Sequence, residues 1–203
     1  TATVAPLSVF ASGGSMATAR YLIQPAGTAS ATFAIGGTDG TSALSSTEVY
    51  NGTSWSGGAA LTAARQGGGG CGTTSAALAV GGTVAATTTA TIEQYNGTSW
   101  SSGGSLATAR VETVAAGTSS ASLAIGGRPA SGTTYLSSTE LYNGTTWSSG
   151  ATMTTGRASA GIAGSSISAL VFGGLATSAI YNASSELYNG FVWYAANAMP
   201  GTR

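Results

Sequence analysis

The chain has no histidine and no lysine, one cysteine, four prolines and only twelve charged residues, six acidic and six arginine. Each shortage removes a class of chemistry. Without histidine the commonest general base and metal ligand is missing, and without lysine no Schiff base can form. Cys71 cannot make an internal disulfide by itself and fits a space-filling role. A net charge of zero removes the electrostatic attraction that drives binding to nucleic acid and to anionic membranes, so neither is expected as a partner. The apolar runs are only a handful of residues long, too short for a transmembrane helix, and the first eleven residues hold Pro6 but no basic n-region of a signal peptide. The chain also starts without methionine, which points to a mature or trimmed product.

Gly, Ala, Ser and Thr fill much of what remains. With 42% apolar residues and 6% charged ones, the composition opposes disorder and predicts a surface carpeted with hydroxyls and methyls. The organising unit is the stretch 48–65, which recurs at 93–110, 140–157 and 186–203. Arg20, Arg65, Arg110, Arg157 and Arg203 lie 45, 45, 47 and 46 residues apart. That period suits four short strands per unit and is too long for ankyrin or tetratricopeptide helices. No linker interrupts it, so residues 1–203 read as one domain.

Each unit opens with a small, Gly-rich segment, expected as an inner strand at 21–26, 66–71, 111–116 and 158–163, followed by a Gly-rich turn. A period-two apolar run then ends in Gly-Gly: Phe33 and Ile35, Leu78 and Val80, Leu123 and Ile125, Leu170 and Phe172. The third strand, near 46–50 in the first unit, carries Glu48 and Tyr50, and its repeats carry Glu93, Glu140 and Glu186, each two residues before a tyrosine. Asn-Gly follows each of these four tyrosines, an expected type I′ hairpin with positive φ at both positions. The fourth strand, near 53–57, bears Trp55, and its repeats bear Trp100, Trp147 and Trp193. Ahead of Arg20, Phe10 occupies the place of that tryptophan, so residues 1–12 read as the outer strand of another unit.

The Gly-Gly pair, Glu-x-Tyr, Trp and the Met or Leu before Arg, in fixed order four times, resemble the kelch repeat over the whole chain. The resemblance implies an all-β fold: a β-propeller of four-stranded antiparallel blades at about 21–57, 66–102, 111–149 and 158–195, plus the extra N-terminal outer strand. Loops would lie on two faces around a channel used mostly for binding and occasionally for catalysis. The Tyr-Asn-Gly-Thr-Ser-Trp version is also similar to kelch-like repeats of marine bacteriophage structural proteins. One outer strand beyond four complete sets leads to the expectation that the chain is a window on a longer polypeptide of five or more blades, or that a neighbouring chain completes the ring.

A buried carboxylate and a buried guanidinium are costly unless paired, so each repeat Glu is expected to pair with a repeat Arg, within or between blades. Met16, Leu61, Leu106, Met153 and Met199 are expected to pack between blades with Tyr and Trp. Residues 67–72 satisfy G-x-G-x-x-G, but no helix follows, and no cofactor is expected. All variation in repeat length falls between Gly-Gly and Glu, at 12, 12, 14 and 13 residues. That loop holds Asp39, Arg128, Tyr135, Leu136, Leu175 and Tyr181, the candidate binding residues, because loops on a rigid scaffold carry function. No catalytic or metal-binding set emerges. The sequence therefore points to a non-enzymatic structural or binding propeller of a virion or extracellular surface: a fibre, decoration or receptor-binding element within a larger assembly that contacts protein or glycan on a cell or particle. An intracellular, cytoplasmic kelch adaptor is the alternative, and a kelch-type enzyme would need a polar cluster at the channel mouth.

Overall fold

The computed structural model describes residues 13–129, 133–177 and 180–197. The all-β expectation holds: among the described residues there are strands and turns but no helix. The first unit contributes β1 (Gln24–Thr28), β2 (Ala31–Ile35), β3 (Thr47–Tyr50) and β4 (Trp55–Gly57). The second contributes β5 (Arg65–Gln66), β6 (Gly69–Thr73), β7 (Ala76–Val80), β8 (Thr83–Val84), β9 (Thr87–Thr88), β10 (Thr91–Tyr95) and β11 (Trp100–Ser105). The third has β12 (Val114–Thr118), β13 (Ala121–Ile125), β14 (Thr139–Tyr142) and β15 (Trp147–Ser149). The fourth has β16 (Gly161–Gly164), β17 (Ala169–Phe172), β18 (Leu175–Thr177), β19 (Ile180–Tyr181), β20 (Ser185–Tyr188) and β21 (Trp193–Ala196). Four antiparallel sheets result, ordered β1-β2-β3-β4, β6-β7-β10-β11, β12-β13-β14-β15 and β16-β17-β20-β21; the ribbons β5-β8-β9 and β18-β19 sit at the sheet ends. The innermost strands β1, β6, β12 and β16 pack on one another in that order.

Two local expectations are corrected. The inner strands begin three residues later than the sequence reading placed them, at Gln24, Gly69, Val114 and Gly161. The cause is a left-handed residue two positions after each arginine: Leu22 (φ 54°), Gly67 (φ 68°), Glu112 (φ 58°) and Ser159 (φ 52°). A positive φ interrupts extended pairing. The Asn-Gly turns are also not type I′, since Gly52, Gly97, Gly144 and Gly190 have positive φ but the asparagines before them do not. Instead each asparagine side chain caps a four-residue loop: Asn51 Oδ1 accepts from the N–H groups of Thr53 and Ser54 at 3.0 and 2.9 Å, and the other three repeat the pattern.

The Gly-Gly pairs are required by a close approach. Gly36 (φ 57°) and Gly37 (φ 90°) let the Gly37 N–H donate to the Arg65 carbonyl at 2.9 Å, where a Cβ on Gly36 would lie 2.5 Å from that oxygen.

Packing between sheets joins unlike faces. The forward face of each sheet carries large side chains, and the rear face of the next carries alanines flanked by Tyr and Trp. Phe33, Ile35 and Leu61 thus meet Ala77, Ala79, Tyr95 and Trp100. Leu78, Val80, Ile92 and Leu106 meet Ala115, Ala124, Tyr142 and Trp147. Leu123, Ile125 and Met153 meet Ala169, Val171, Tyr188 and Trp193. Large side chains thus face small ones across each layer, and each fully buried aliphatic side chain contributes about 1.5–3 kcal/mol. Cys71 is in the second layer, and burial pushes its thiol up to about 12. Iodoacetamide at pH 8 should therefore leave Cys71 unmodified in the folded protein and modify it after unfolding in guanidinium, as read by mass spectrometry; ready labelling of the folded protein would contradict this layer.

Candidate binding face

The repeat charges are used to hold one unit to the next. Arg65 follows the first sheet, and its Nη2 donates to Glu93 Oε1 on β10 of the second sheet at 2.7 Å, both side chains almost fully buried. The same Glu93 accepts the N–H groups of Thr62 (2.6 Å) and Ala63 (3.3 Å), so one carboxylate receives three donors from the connecting segment. Arg65 Nη1 reaches the carbonyls of Gly81 and Thr91 at 3.3 and 3.0 Å. Arg20–Glu48, Arg110–Glu140 and Arg157–Glu186 repeat this geometry at 2.7–2.8 Å. Burial pulls the Arg65 and Arg110 guanidinium groups down from their ordinary value, and their glutamate partners pull them back up. Arginine stays protonated through such a shift, so each clamp is a charged, charge-assisted network. Arg203, Met199 and the Phe10 strand lie outside the described residues.

The sheets end in two unlike rims. One carries the β1-β2 and β3-β4 turns and their repeats; the other carries the connections from one sheet to the next and the Gly-Gly-to-Glu loops. On the connection rim the left-handed residues form a ladder across units: Gly67 N–H donates to the Leu22 carbonyl (2.9 Å), Glu112 N–H to Gly67 (2.5 Å) and Ser159 N–H to Glu112 (2.9 Å). Beside it, the residue after each arginine pairs with the residue after each Gly-Gly: Tyr21 with Thr38, Gln66 with Thr83, Val111 with Arg128 and Ala158 with Leu175. The backbone is the same four times while the side chains differ each time. Such rows are a rigid frame for a varied surface.

The six loop residues named from the sequence fall into different roles. Arg128 donates to Glu112 in a two-pronged pair, Nη2 to Oε1 at 2.6 Å and Nε to Oε2 at 3.0 Å, and that hydrogen bonding raises its pKa. The pair is partly exposed and borders a cleft of about 250 Å³ together with Leu22, Gln66, Gly67 and Thr83. Leu175 and Tyr181 border a second cleft of about 400 Å³ with Phe172 and Asn182, and Tyr181 is 64% exposed. Asp39 is turned inward on its own loop, accepting from Thr41 and Ser42 N–H at 2.8 Å each; those bonds, Ser42's foremost, hold its carboxyl below the usual range. Leu136 is a backbone element, donating to Gly127 and accepting from Arg157, and Tyr135 beside it is half-buried.

Sequence reasoning missed Tyr21, Leu22, Gln66 and Glu112, which are on this rim but outside the loop of variable length. Their signal was a change of residue type in the two positions after a constant arginine. It also missed the opposite rim, where Ile167, Phe191, Val192 and Tyr194 are exposed at places held by serine or threonine in the other three units. The space along the inner strands, about 280 Å³, is bordered mostly by small residues such as Ala26, Gly70, Ala116 and Ala163, with Thr32 and Cys71 also on its lining. Among the described residues no three His, Cys, Asp or Glu side chains gather as a metal site, and no helix is long and apolar enough to cross a membrane.

Compared with models of known protein families the chain matches none, and comparison with curated protein sequences likewise gives no match.

Proposed function

We propose that this chain is a non-enzymatic binding module, a kelch-type β-propeller displayed on a virion or another extracellular assembly, which contacts a protein or glycan through its connection rim. The observation that carries the reading is the row of equivalent backbone pairs bearing Tyr21, Gln66, Arg128 and Leu175 side by side. A frame whose own charges are consumed in buried clamps leaves these residues free to vary without loss of the fold. Tyr and Arg are the side chains that most often anchor interfaces. Aromatic faces beside hydroxyls and amides suit a neutral, polar partner such as a glycan or a hydroxyl-rich protein surface, and the absence of net charge suits no polyanion.

Tyr21→Ala combined with Arg128→Ala should weaken binding to a glycan array or to host cells at least tenfold, about 1.4 kcal/mol, with the melting temperature little changed. An equal loss from Phe191→Ser with Ile167→Ser would move the site to the opposite rim.

A further inference from the structure

Among the described residues one ion pair takes no part in the clamps between sheets. The side chains of the four clamp pairs are at most 5% exposed, whereas those of Arg128 and Glu112 are 32% and 20% exposed and border the cleft of about 250 Å³ on the connection rim. The pair is held in place by the backbone. Arg128 is bridged to Val111, and the left-handed turn at Glu112 (φ 58°) brings the next side chain onto the guanidinium. Their contact uses two N–H groups of the guanidinium and leaves the others, with the remaining carboxylate lone pairs, side by side for a third group. Around them the cleft offers the Gln66 amide and the hydroxyls of Thr83 and Thr88, with Leu22 and Val111 as an apolar wall. Thr88 is set there by the β8-β9 hairpin, which closes through Ala85 (φ 47°) and Ala86 (φ 63°), the positive-φ pair of a tight two-residue turn. The whole lining comes from the first three units, so nothing in the cleft depends on what adjoins the fourth.

We propose that this cleft is a sugar subsite taking one neutral hexose ring of a glycan, an assignment that rests on the connection rim being the binding face. Charge decides the class of ligand. A carboxylate, sulfate or phosphate drawn to Arg128 would meet Glu112, whose oxygens lie 2.6 and 3.0 Å from the guanidinium nitrogens, and an ammonium drawn to Glu112 would meet Arg128. A hydroxyl group escapes both conflicts. It accepts and donates at once, so neighbouring hydroxyls of a pyranose can accept from Arg128 and donate to Glu112 in charge-assisted bonds. The C–H groups of the ring then lie against Leu22, which is 45% exposed, and Val111, while Gln66, Thr83 and Thr88 supply uncharged partners for further hydroxyls. Size agrees with this. The cleft is smaller than the roughly 300–1,000 Å³ of sites for drug-sized ligands and suits a single ring.

Titration of the isotopically labelled protein with the methyl glycosides of glucose, galactose and mannose, followed by amide NMR, tests it. At least one glycoside should shift the Gly67, Thr88 and Glu112 amides with millimolar affinity, and added salt should leave that affinity unchanged because a neutral ligand is not screened. The uronic acid counterpart of that sugar should gain nothing from its carboxylate. Glu112→Ala combined with Arg128→Ala should weaken binding at least about tenfold, as the loss of hydrogen bonds to charged groups does. Thr88→Trp, which fills the cleft and leaves the ion pair in place, should do the same and serves if the double variant does not fold. No saturable shift from any of the three glycosides, shifts confined to the opposite rim, a tighter-binding uronic acid, or an affinity untouched by both variants would each overturn the subsite. Binding to a glycan array or to host cells that survives Thr88→Trp and is not competed by the glycoside would keep the connection rim as the binding face and overturn the sugar subsite alone. A glycoside held in the cleft of a protein that binds no array and no cell would uphold the subsite and overturn the wider reading.

Discussion

Replacing Arg110 with alanine should lower stability by about 3–5 kcal/mol, because breaking one partner of a buried ion pair leaves the other charge uncompensated. Arg110 is fully buried and donates to Glu140 at 2.7 Å, to the carbonyls of Gly126 (2.9 Å) and Ser138 (3.1 Å) and to Ser138 Oγ (3.2 Å). Its removal would leave Glu140 with only the N–H groups of Ala107 and Thr108, and would free two carbonyls inside the joint between the second and third sheets. Glu140→Gln keeps the shape and one acceptor oxygen and should cost less. Arg110→Lys cannot reproduce the fork and should fall near the alanine variant. At 203 residues the alanine loss corresponds to a fall in melting temperature on the order of 10 °C. Thermal unfolding followed by circular dichroism checks the magnitude, and hydrogen exchange of the Ala107 and Thr108 amides, both bonded to Glu140, checks the place. A change within about 0.5 kcal/mol would mean that the clamp adds nothing net to stability.

The strand order within a unit was legible because the Gly-Gly, Glu-x-Tyr, Asn-Gly and Trp landmarks are local signals, and each sheet is a simple meander of consecutive strands. What a single unit could not reveal was how units meet. The spacing offered Arg and Glu as partners but not which of them; the structure joins Arg20, Arg65, Arg110 and Arg157 each to the repeat glutamate downstream of it, on the sheet that follows. The left-handed residues were hidden for a different reason. Leu22, Glu112 and Ser159 are not residue types that announce positive φ, and only Gly67 is. The conformation there is imposed by the ladder between units, a tertiary contact that overrides local preference. The same cause displaced the inner strands by three residues. On the candidate face, loop length drew attention to Asp39 and Leu136, whose roles are turn capping and backbone pairing, whereas Tyr21 and Glu112 sit in segments of constant length and were overlooked.

Leu123 and Leu170 provide the second large effect, since one residue type occupies one register position in two consecutive sheets. Leu123 is fully buried between the third and fourth sheets, and Leu123→Ala should cost about 2–5 kcal/mol through lost transfer energy and the cavity left behind. Leu170 occupies the same place on β17, paired with Ala163 and Leu187, but its face is only half covered. Leu170→Ala should then cost roughly 1 kcal/mol or less in dilute solution, because a partly exposed side chain loses less on truncation. Denaturant unfolding at low protein concentration measures both. Equal losses would mean that Leu170 is as well covered as Leu123, and the asymmetry between the third and fourth sheets would disappear.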